Sequence, residues 1–320
     1  MERAARVFVA GETTMVGSAI ARELVRQGFT DVAHAPADLD LTDAGQVDAW
    51  FARMQPEYVF VAAGKSGGIH LNQAQPAQLM RDNLLIATQV IHSAFAHRAR
   101  KLLYLASSCS YPRQCPQPMA VASLMTGRLE PTSEPYALAK LAGLTLCQAY
   151  RRQHRVPWIA GIPGDAFGPG DDFDPASSHV VAALIRRMHE AKLRGAASVP
   201  LWGTGRPRRG FMFVDDLASA CCFVMRAYDG VEPINLASGW DYSIRAIAEL
   251  IQEVVGYEGR LVFDPSRPDG MPVKVLDTAP LVAMGWRPQA TMRSGLAETY
   301  RWFLEHDACE MVGVQNRESG

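Results

Sequence analysis

The sequence predicts an α/β protein built on a doubly wound parallel sheet, with a smaller C-terminal lobe. Three observations support this class. Short apolar runs alternate with helical patterns through the first half of the 320-residue chain, which is typical of βαβ units. A glycine turn, GETTMVG (11–17), separates the first apolar run from the first helical pattern. After residue 164 the chain changes to loops rich in Gly, Pro and Asp between shorter elements.

Each element follows from its own pattern. The first strand, ARVFVAG, is apolar and ends in a glycine, and the helix after it, SAIARELVRQG, ends at Gly28. Further strands are expected at 31–35, 57–64, 101–108 and 156–163, and further helices at 43–54, 76–98 and 135–154. Ligands of such sheets bind beyond the carboxyl ends of the strands. One crevice is therefore expected to gather residues 11–17, 62–65, 107–109 and 163–168.

The change of composition along the chain predicts its domain organisation. Residues 1–164 are expected to form a dinucleotide-binding domain of the Rossmann type. Residues 165–310 are expected to form mainly a substrate-binding lobe, partly interleaved with the sheet domain, and residues 311–320 a tail.

Composition excludes several classes of function. With 32 basic and 33 acidic residues the net charge is −1, which gives no electrostatic case for binding nucleic acid or an anionic membrane. No apolar run approaches the roughly 20 residues that span a bilayer, and the N-terminus has no secretory h-region. The six cysteines form no CxxC pair, so we expect no metal site and a reducing, cytoplasmic location.

The glycine turn predicts a dinucleotide site. A strand, a glycine turn and a helix N-terminus together bind a pyrophosphate through free backbone N–H groups, although Gly11 and Gly17 alone also suit an ordinary tight turn. The usual middle glycine is replaced by Thr14. After the second strand, Asp38 and Asp40 are available to a ribose 2′-hydroxyl and no arginine is available to a 2′-phosphate, which favours NAD over NADP. The expected cofactor-binding residues are Gly11, Thr14, Met15, Val16, Gly17, Asp40, Ala62, Ala63, Tyr136, Lys140, Pro163 and Asp165.

A reductase constellation follows the fourth strand. Tyr136 and Lys140, in PYALAK, are four residues apart and so share one helix face. A lysine ammonium beside a tyrosine is expected to lower the pKa of the phenol, which would then donate a proton to a carbonyl oxygen. Ser107, 29 residues before the tyrosine, would hold the same oxygen. Cys109 points the same way as Ser107 if the chain is extended there, and it suggests a second chemistry on the same substrate.

These motifs resemble those of the extended short-chain dehydrogenase/reductases, and within them a subfamily that epimerises and then reduces a GDP-linked 4-keto-6-deoxy sugar. The resemblance covers nearly the whole chain. It rests on AAGKSGGI (62–69), SSCSYP (107–112), EPYALAKLAG (134–143), FGPGDDFDPASSHV (167–180), FVDDLA (213–218), SRPDGMPVKVLD (266–277) and GLAETYRWFLE (295–305).

The resemblance implies roles for individual residues. Cys109 would be the base and His179 the acid that invert C3 and C5, whose protons the 4-keto group acidifies. Ser107 and Tyr136 would stabilise the enolate before they assist reduction at C4. The residues expected to bind the GDP-linked substrate are His179, Arg187, Trp202, Arg209 and Lys274. The resemblance also implies NADPH as the cofactor and a homodimer formed through helices 76–98 and 136–154.

The chain departs from the subfamily around the cofactor. Thr13 replaces an arginine of the glycine turn, and residues 34–36 (His-Ala-Pro) lack the second arginine that grips the NADPH 2′-phosphate. Asp165 and Phe167 replace an asparagine and a tyrosine. The cofactor is thus expected to be NADP or NAD. Two alternatives are an epimerase with weak or no net reduction and a catalytically silent dinucleotide-binding scaffold.

Overall fold

A computed structural model describes the backbone of residues 1–267 and 269–318, with the side chains of residues 307–318 not described. The predicted tail at 311–320 therefore lies outside the described side chains, and residues 319–320 outside the described backbone. The described part of the chain is built from the following elements.

The strands are β1 (Val7–Ala10), β2 (Val32–Ala33), β3 (Tyr58–Val61), β4 (Lys101–Leu105), β5 (Ile159–Pro163), β6 (Asp165–Phe167), β7 (Ser198–Trp202), β8 (Arg208–Arg209), β9 (Phe211–Phe213), β10 (Ile234–Leu236), β11 (Tyr242–Ser243), β12 (Arg260–Asp264) and β13 (Val273–Lys274). The α-helices are α1 (Met15–Arg26), α2 (Ala44–Met54), α3 (Ile69–Ala74), α4 (Pro76–Ala96), α5 (Glu134–His154), α6 (Val180–Leu193), α7 (Val214–Ala227), α8 (Ile244–Val255), α9 (Ala279–Ala283) and α10 (Met292–Glu318). Two 3₁₀ turns span Ser108–Ser110 and Val121–Ser123.

Six strands form the central sheet in the order β10-β5-β4-β3-β1-β2, and every pairing in it is parallel. The predicted fold class is confirmed. The chain leaves β1 for β2 on one side and then returns to β3 on the other, so the order reverses between β1 and β3. Ligands of doubly wound sheets bind at such a switch point.

Helices cover both faces of this sheet. On one face α2, α4 and α5 bury an apolar layer that includes Trp50, Val90 and Leu144. On the other face α1 and α7 bury a second layer that includes Leu24 and Cys221. The near-continuous apolar strands follow from this double coverage, because a parallel sheet is shielded from water on both sides.

The lobe has a core of its own. Side chains of α6, α8 and α10 pack with those of β7 and β9, and Ile185, Ile251 and Phe303 are fully buried there. Two small parallel pairs, β6 with β9 and β7 with β12, and the three-stranded β11-β8-β13 sheet connect the lobe's loops. The chain then returns from β9 through α7 to the sixth strand of the central sheet. Among the described residues no helix combines the length and apolarity needed to cross a membrane.

Candidate active site

The glycine turn lies at the switch point of the sheet. Gly11 has a φ of +92°, and a Cβ there would come within 2.6 Å of the Ala63 backbone that follows β3. A Cβ on Gly17 would lie 1.9 Å from the Gly11 carbonyl oxygen. Both glycines are therefore required by close backbone approach. The turn is in direct contact with the residues after β3. The backbone hydrogen bond from Ala62 N to Ala10 O (3.0 Å), at the start of the turn, also shows this.

Thr14 replaces the usual middle glycine with a helix cap. Its Oγ1 accepts a hydrogen bond from Gly17 N (3.1 Å) and donates one to Gly11 O (2.8 Å). Met15 and Val16 occupy the first two positions of α1, and their N–H groups have no partner among the residues that the structure describes. Such groups at a helix N-terminus bind a phosphate anion. The turn thus fits a dinucleotide pyrophosphate.

The far side of this turn carries negative rather than positive charge. Glu12, the residue after Gly11, pairs through its carboxylate with His34 Nδ1 at the end of β2 (2.5 Å). Asp40 is exposed, and its Oδ1 accepts hydrogen bonds from the backbone N–H and hydroxyl of Thr42. Those bonds lower the pKa of the Asp40 carboxyl. Sequence reasoning missed Glu12, and its acidic position inside the glycine turn was the available signal.

The chemical end of the crevice lies beyond β4. Ser107 caps the 3₁₀ turn at 108–110, and its Oγ accepts a hydrogen bond from Cys109 N (3.2 Å). The chain is not extended at 107–109, because it turns immediately after Ser107. The Ser107 side chain lies near enough to the Tyr136 hydroxyl to act on its pKa. The turn thus brings the serine, the cysteine and the tyrosine into one cluster despite the different backbone path.

Burial dominates the ionisation of the tyrosine and lysine. Burial and the nearby Cys109 raise the pKa of Tyr136 to about 12, although Ser107 and Lys274 act in the opposite direction. Burial lowers the pKa of Lys140 to about 8, and its Nζ lies 5.1 Å from the centre of the Tyr104 ring. The predicted lowering of the Tyr136 pKa is therefore wrong for the free protein. A tyrosine that stays protonated at neutral pH is suited to donate a proton.

Asp165 and Lys274 form an ion pair beside the thiol. Lys274 Nζ lies 2.7 Å from Asp165 Oδ1 and 3.7 Å from Cys109 Sγ, and Ser108 Oγ donates to the same carboxylate oxygen (3.2 Å). Burial alone would raise the pKa of Asp165, but the attraction and hydrogen bond of Lys274 hold it below its ordinary value. Burial alone would lower the pKa of Lys274, which Asp165 and Cys109 instead raise. Pro163, the last residue of β5, lies two positions before Asp165 in the chain.

His179 approaches the same cluster from the lobe. It is the residue before α6 and has an extended backbone, and the Gly68 N–H donates to the carbonyl of Ser177 in its loop (2.9 Å). The side chain of His179 reaches solvent in the crevice. The surrounding protein atoms nevertheless shield the imidazole from water and lower its pKa, whereas the negative charge of Asp165 acts to raise it. Contact with this loop accounts for Gly68 of the AAGKSGGI motif, since a Cβ there would lie 2.9 Å from Ser178 O.

The other predicted substrate residues lie further out. Trp202 is 58% exposed, and the guanidinium groups of Arg187 and Arg267 lie 5.8 and 5.2 Å from its ring centre. Arg209 is held at the inner edge by the carbonyl of Met271 (2.7 Å). Sequence reasoning did not single out Arg267, although it belongs to the quoted SRPDG segment. The structure thus separates an inner cluster around Cys109 from an outer group around Trp202.

The fold and this crevice define a class of enzyme. Residues 7–237 match the NAD dependent epimerase/dehydratase family, and the chain belongs to that family. The predicted membership of the extended short-chain dehydrogenase/reductases is confirmed.

Individual relatives make the comparison more specific. The chain is 50% identical over 306 residues to GDP-L-fucose synthase 1 of Arabidopsis thaliana, with 95% of each chain covered. It is 44% identical over 311 residues to the GDP-L-fucose synthase of Escherichia coli (strain K12), covering 94% of this chain and 97% of the relative. A crystal structure of a GDP-L-fucose synthetase from Naegleria fowleri bound to NADP superposes with a TM-score of 0.89 at 25% identity, covering 96% of this chain and 95% of that one.

Proposed function

We propose that this protein makes GDP-L-fucose from GDP-4-keto-6-deoxy-D-mannose, by 3,5-epimerisation followed by NAD(P)H-dependent reduction of the 4-keto group. The observation that carries the proposal is the thiol of Cys109 next to the Ser107–Tyr136 pair. A reductase needs only the pair and Lys140, whereas an epimerase–reductase also needs a base within reach of the same sugar. The names of the similar proteins support the same product, GDP-L-fucose.

Epimerisation uses a base and an acid on opposite faces of the sugar. The thiolate of Cys109 takes the proton from C3, the C–H electron pair forms the enolate, and the charge moves to the C4 oxygen. Ser107 and Tyr136 donate hydrogen bonds to that oxygen and so stabilise the charge where it develops. His179 returns a proton to the opposite face of the carbon. The same exchange at C5 follows after Cys109 has lost its proton and His179 has regained one.

Reduction uses the same oxygen contacts. A reduced nicotinamide cofactor, held by the glycine turn at residues 11–17, would supply hydride to C4. Tyr136 gives its hydroxyl proton to the C4 oxygen, and Ser107 keeps that oxygen in place. The high pKa of Tyr136, about 12, ensures that the proton is present throughout the neutral range. Lys140 lies four residues further along α5, on the same helix face as the tyrosine.

The nucleotide part of the substrate is assigned to the outer group. We assign the guanine base to Trp202, because an exposed indole offers a stacking surface. Arg187 and Arg267 beside it suit the diphosphate, since guanidinium forks bind phosphate oxygens bidentately. Arg209 and Lys274 then lie between the diphosphate and the reacting sugar.

The cofactor preference is proposed from the adenosine end of the turn. Glu12, in the glycine turn, carries a carboxylate that would repel a 2′-phosphate bound beside it, and Thr13 and residues 34–36 fall where the resembling subfamily carries arginines. We propose that the chain binds NADH at least as tightly as NADPH. The dissociation constants of both can be measured from quenching of tryptophan fluorescence without any sugar. Tighter binding of NADPH by the natural sequence would contradict this proposal.

A substitution makes the cofactor test sharper. Thr13→Arg restores a phosphate-binding fork and should tighten NADPH by about tenfold, the effect of one charge-assisted hydrogen bond. NADH, which has no 2′-phosphate, should bind the variant as it binds the natural protein and so serves as the control. An equal change for both cofactors would mean that the substitution acts on the shared pyrophosphate instead.

The substrate proposal is tested by product identification. GDP-4-keto-6-deoxy-D-mannose and reduced cofactor are incubated with the protein, and the nucleotide sugar is isolated and examined by NMR. GDP-L-fucose is the expected product. A 4-reduced sugar with unchanged C3 and C5 would show that the protein is a reductase without epimerase activity. An epimerised ketone without oxidation of the cofactor would show that it is an isomerase.

Assembly and location are proposed on separate grounds. Helices α4 and α5 pack together on one face of the sheet, and Leu138 of α5 is 43% exposed there. We propose a homodimer formed through this helix pair. A monomer found by light scattering at micromolar concentration would contradict it. The free thiols of the described cysteines support a cytoplasmic location.

A further inference from the structure

One ion pair in the inner cluster has no role in the proton and hydride steps described above. Lys274, on β13, reaches across the crevice to Asp165 at the start of β6, and 109 residues separate the two in sequence. Both side chains are largely shielded, with exposed fractions of 15% and 28%. A shielded ion pair is not evidence of net stabilisation, because removing two charges from water offsets their attraction. Its position beside Cys109 therefore needs another explanation.

The geometry singles out Lys274 among the charges around the thiol. Its Nζ lies 3.7 Å from Cys109 Sγ, which is hydrogen-bonding distance for sulfur. Arg209 on β8 also acts electrostatically on Cys109, but its Nη1 donates to the backbone carbonyls of Arg208 and Met271. Tyr136 on α5 is a neutral neighbour at ordinary pH. Among the described residues, Lys274 is thus the cation whose charged group contacts the sulfur.

We propose that Lys274 is the positioning residue that makes Cys109 more reactive, by stabilising negative charge on its sulfur, and that Asp165 limits this effect by sharing the ammonium charge. The proposal rests on the proposed function only for the reason why a reactive thiol is needed. In that function, the base must be free of its proton before each of the two inversions. The ammonium attracts the thiolate and does not attract the neutral thiol, so it favours the form that can take a proton.

Asp165 makes the proposal specific to this chain. A carboxylate 2.7 Å from Nζ cancels part of the positive charge that the sulfur experiences, whereas an asparagine would accept the same hydrogen bond without a negative charge. The structure thus predicts opposite consequences for the two partners. Removal of Lys274 should make Cys109 less reactive, and replacement of Asp165 by asparagine should make it more reactive.

The test measures the alkylation rate of Cys109 by iodoacetamide, with no substrate or cofactor present. Trypsin releases residues 102–113, in which Cys109 is the only cysteine, so mass spectrometry follows this thiol alone. At pH 7, Lys274→Gln should slow alkylation by about tenfold, as expected for the loss of one nearby cation in a partly shielded site. Asp165→Asn should accelerate it several-fold. The rates should converge at high pH, where every variant carries the thiolate.

Two further variants separate this effect from structural damage. Lys274→Arg keeps the positive charge and should restore most of the rate lost in Lys274→Gln. Lys192→Gln is the control, because the Lys192 ammonium is also hydrogen-bonded within the protein (to Val255 O, 2.7 Å) but lies in another part of the lobe. It should leave the rate unchanged.

The possible outcomes are distinct. Opposite changes for Lys274→Gln and Asp165→Asn support the proposal, because unfolding or loosening would change both rates in the same direction. Equal rates in the natural protein, Lys274→Gln and Asp165→Asn would overturn it, whatever reaction the enzyme catalyses. Failure of the product assay with the expected alkylation rates would instead reject the proposed function and leave the role of Lys274 intact.

Discussion

Lys140 is a buried cation without a carboxylate partner, and this predicts a conflict between stability and function. The residue is 6% exposed, and no ion pair or hydrogen bond of its ammonium group occurs in the described part of the chain. Burial lowers its pKa from 10.5 to about 8. The folded protein therefore binds fewer protons than the unfolded chain between pH 8 and pH 10.5. The destabilisation is fully present below pH 8 and disappears as pH rises toward 10.5.

The size of the effect follows from the pKa difference. Each unit corresponds to about 1.4 kcal/mol, so charging Lys140 at pH 7 reduces the free energy of unfolding by about 3 kcal/mol. Lys140→Met keeps most of the length of the side chain and removes the charge. It should raise the free energy of unfolding at pH 7 by roughly this amount and by less than about 1 kcal/mol at pH 10. The same variant should lose reductase activity.

The assay is guanidinium unfolding of both proteins at pH 7 and pH 10, compared as differences so that other titrating groups cancel. Lys140→Arg is the control, since it keeps its charge at both pH values and should be less stable than Lys140→Met at each. A Lys140→Met variant that is less stable than the natural protein at pH 7, or whose advantage does not shrink toward pH 10, would refute the reasoning.

Three further predictions concern the proton donor and the cofactor turn. Tyr136→Phe should reduce the rate of reduction by about 10²–10⁴-fold. Proton exchange at C3 and C5 should decline less, because Ser107 still holds the C4 oxygen. Stopped-flow absorbance measures reduction and NMR measures exchange, and equal losses of the two rates would contradict the division of roles. Gly17→Ala should abolish cofactor binding in fluorescence titration, because its Cβ would lie 1.9 Å from Gly11 O; undiminished affinity would mean that the turn can open. Thr14→Ala should lower the free energy of unfolding by about 1 kcal/mol through loss of the α1 cap, and an unchanged denaturation midpoint would argue that the cap contributes nothing.

Much of the sheet domain could be predicted because its signals are local. Each predicted strand of the first half corresponds to an observed one, and the helix predicted at 76–98 is observed as Pro76–Ala96. Long amphipathic helices and fully apolar strands can be recognised from a single short stretch of sequence. The sixth strand, Ile234–Leu236, pairs with β5 but is three residues long, and no local pattern distinguishes so short a run from a loop.

The candidate site could be predicted in membership but not in arrangement. Ser107, Cys109 and Tyr136 were grouped because their spacing places them at one sheet edge, and the structure does bring them together. The contact of Asp165 with Lys274 could not be foreseen, because it depends on how β13 and β6 approach across 109 residues. The predicted direction of the Tyr136 pKa shift is wrong for a related reason. Burial raises this pKa, and burial depends on the folded surroundings, which the local sequence does not show.

The central claim is that one site performs both epimerisation and reduction, and deuterium exchange tests it most directly. GDP-4-keto-6-deoxy-D-mannose is incubated with the protein in D₂O and followed by proton NMR, first without cofactor and then with NADH or NADPH. The account predicts loss of the C3 and C5 proton signals before cofactor is added, much slower loss in Cys109→Ser, and a C4 carbinol signal once cofactor is present. Retention of both signals in the natural protein, with or without cofactor, would contradict it.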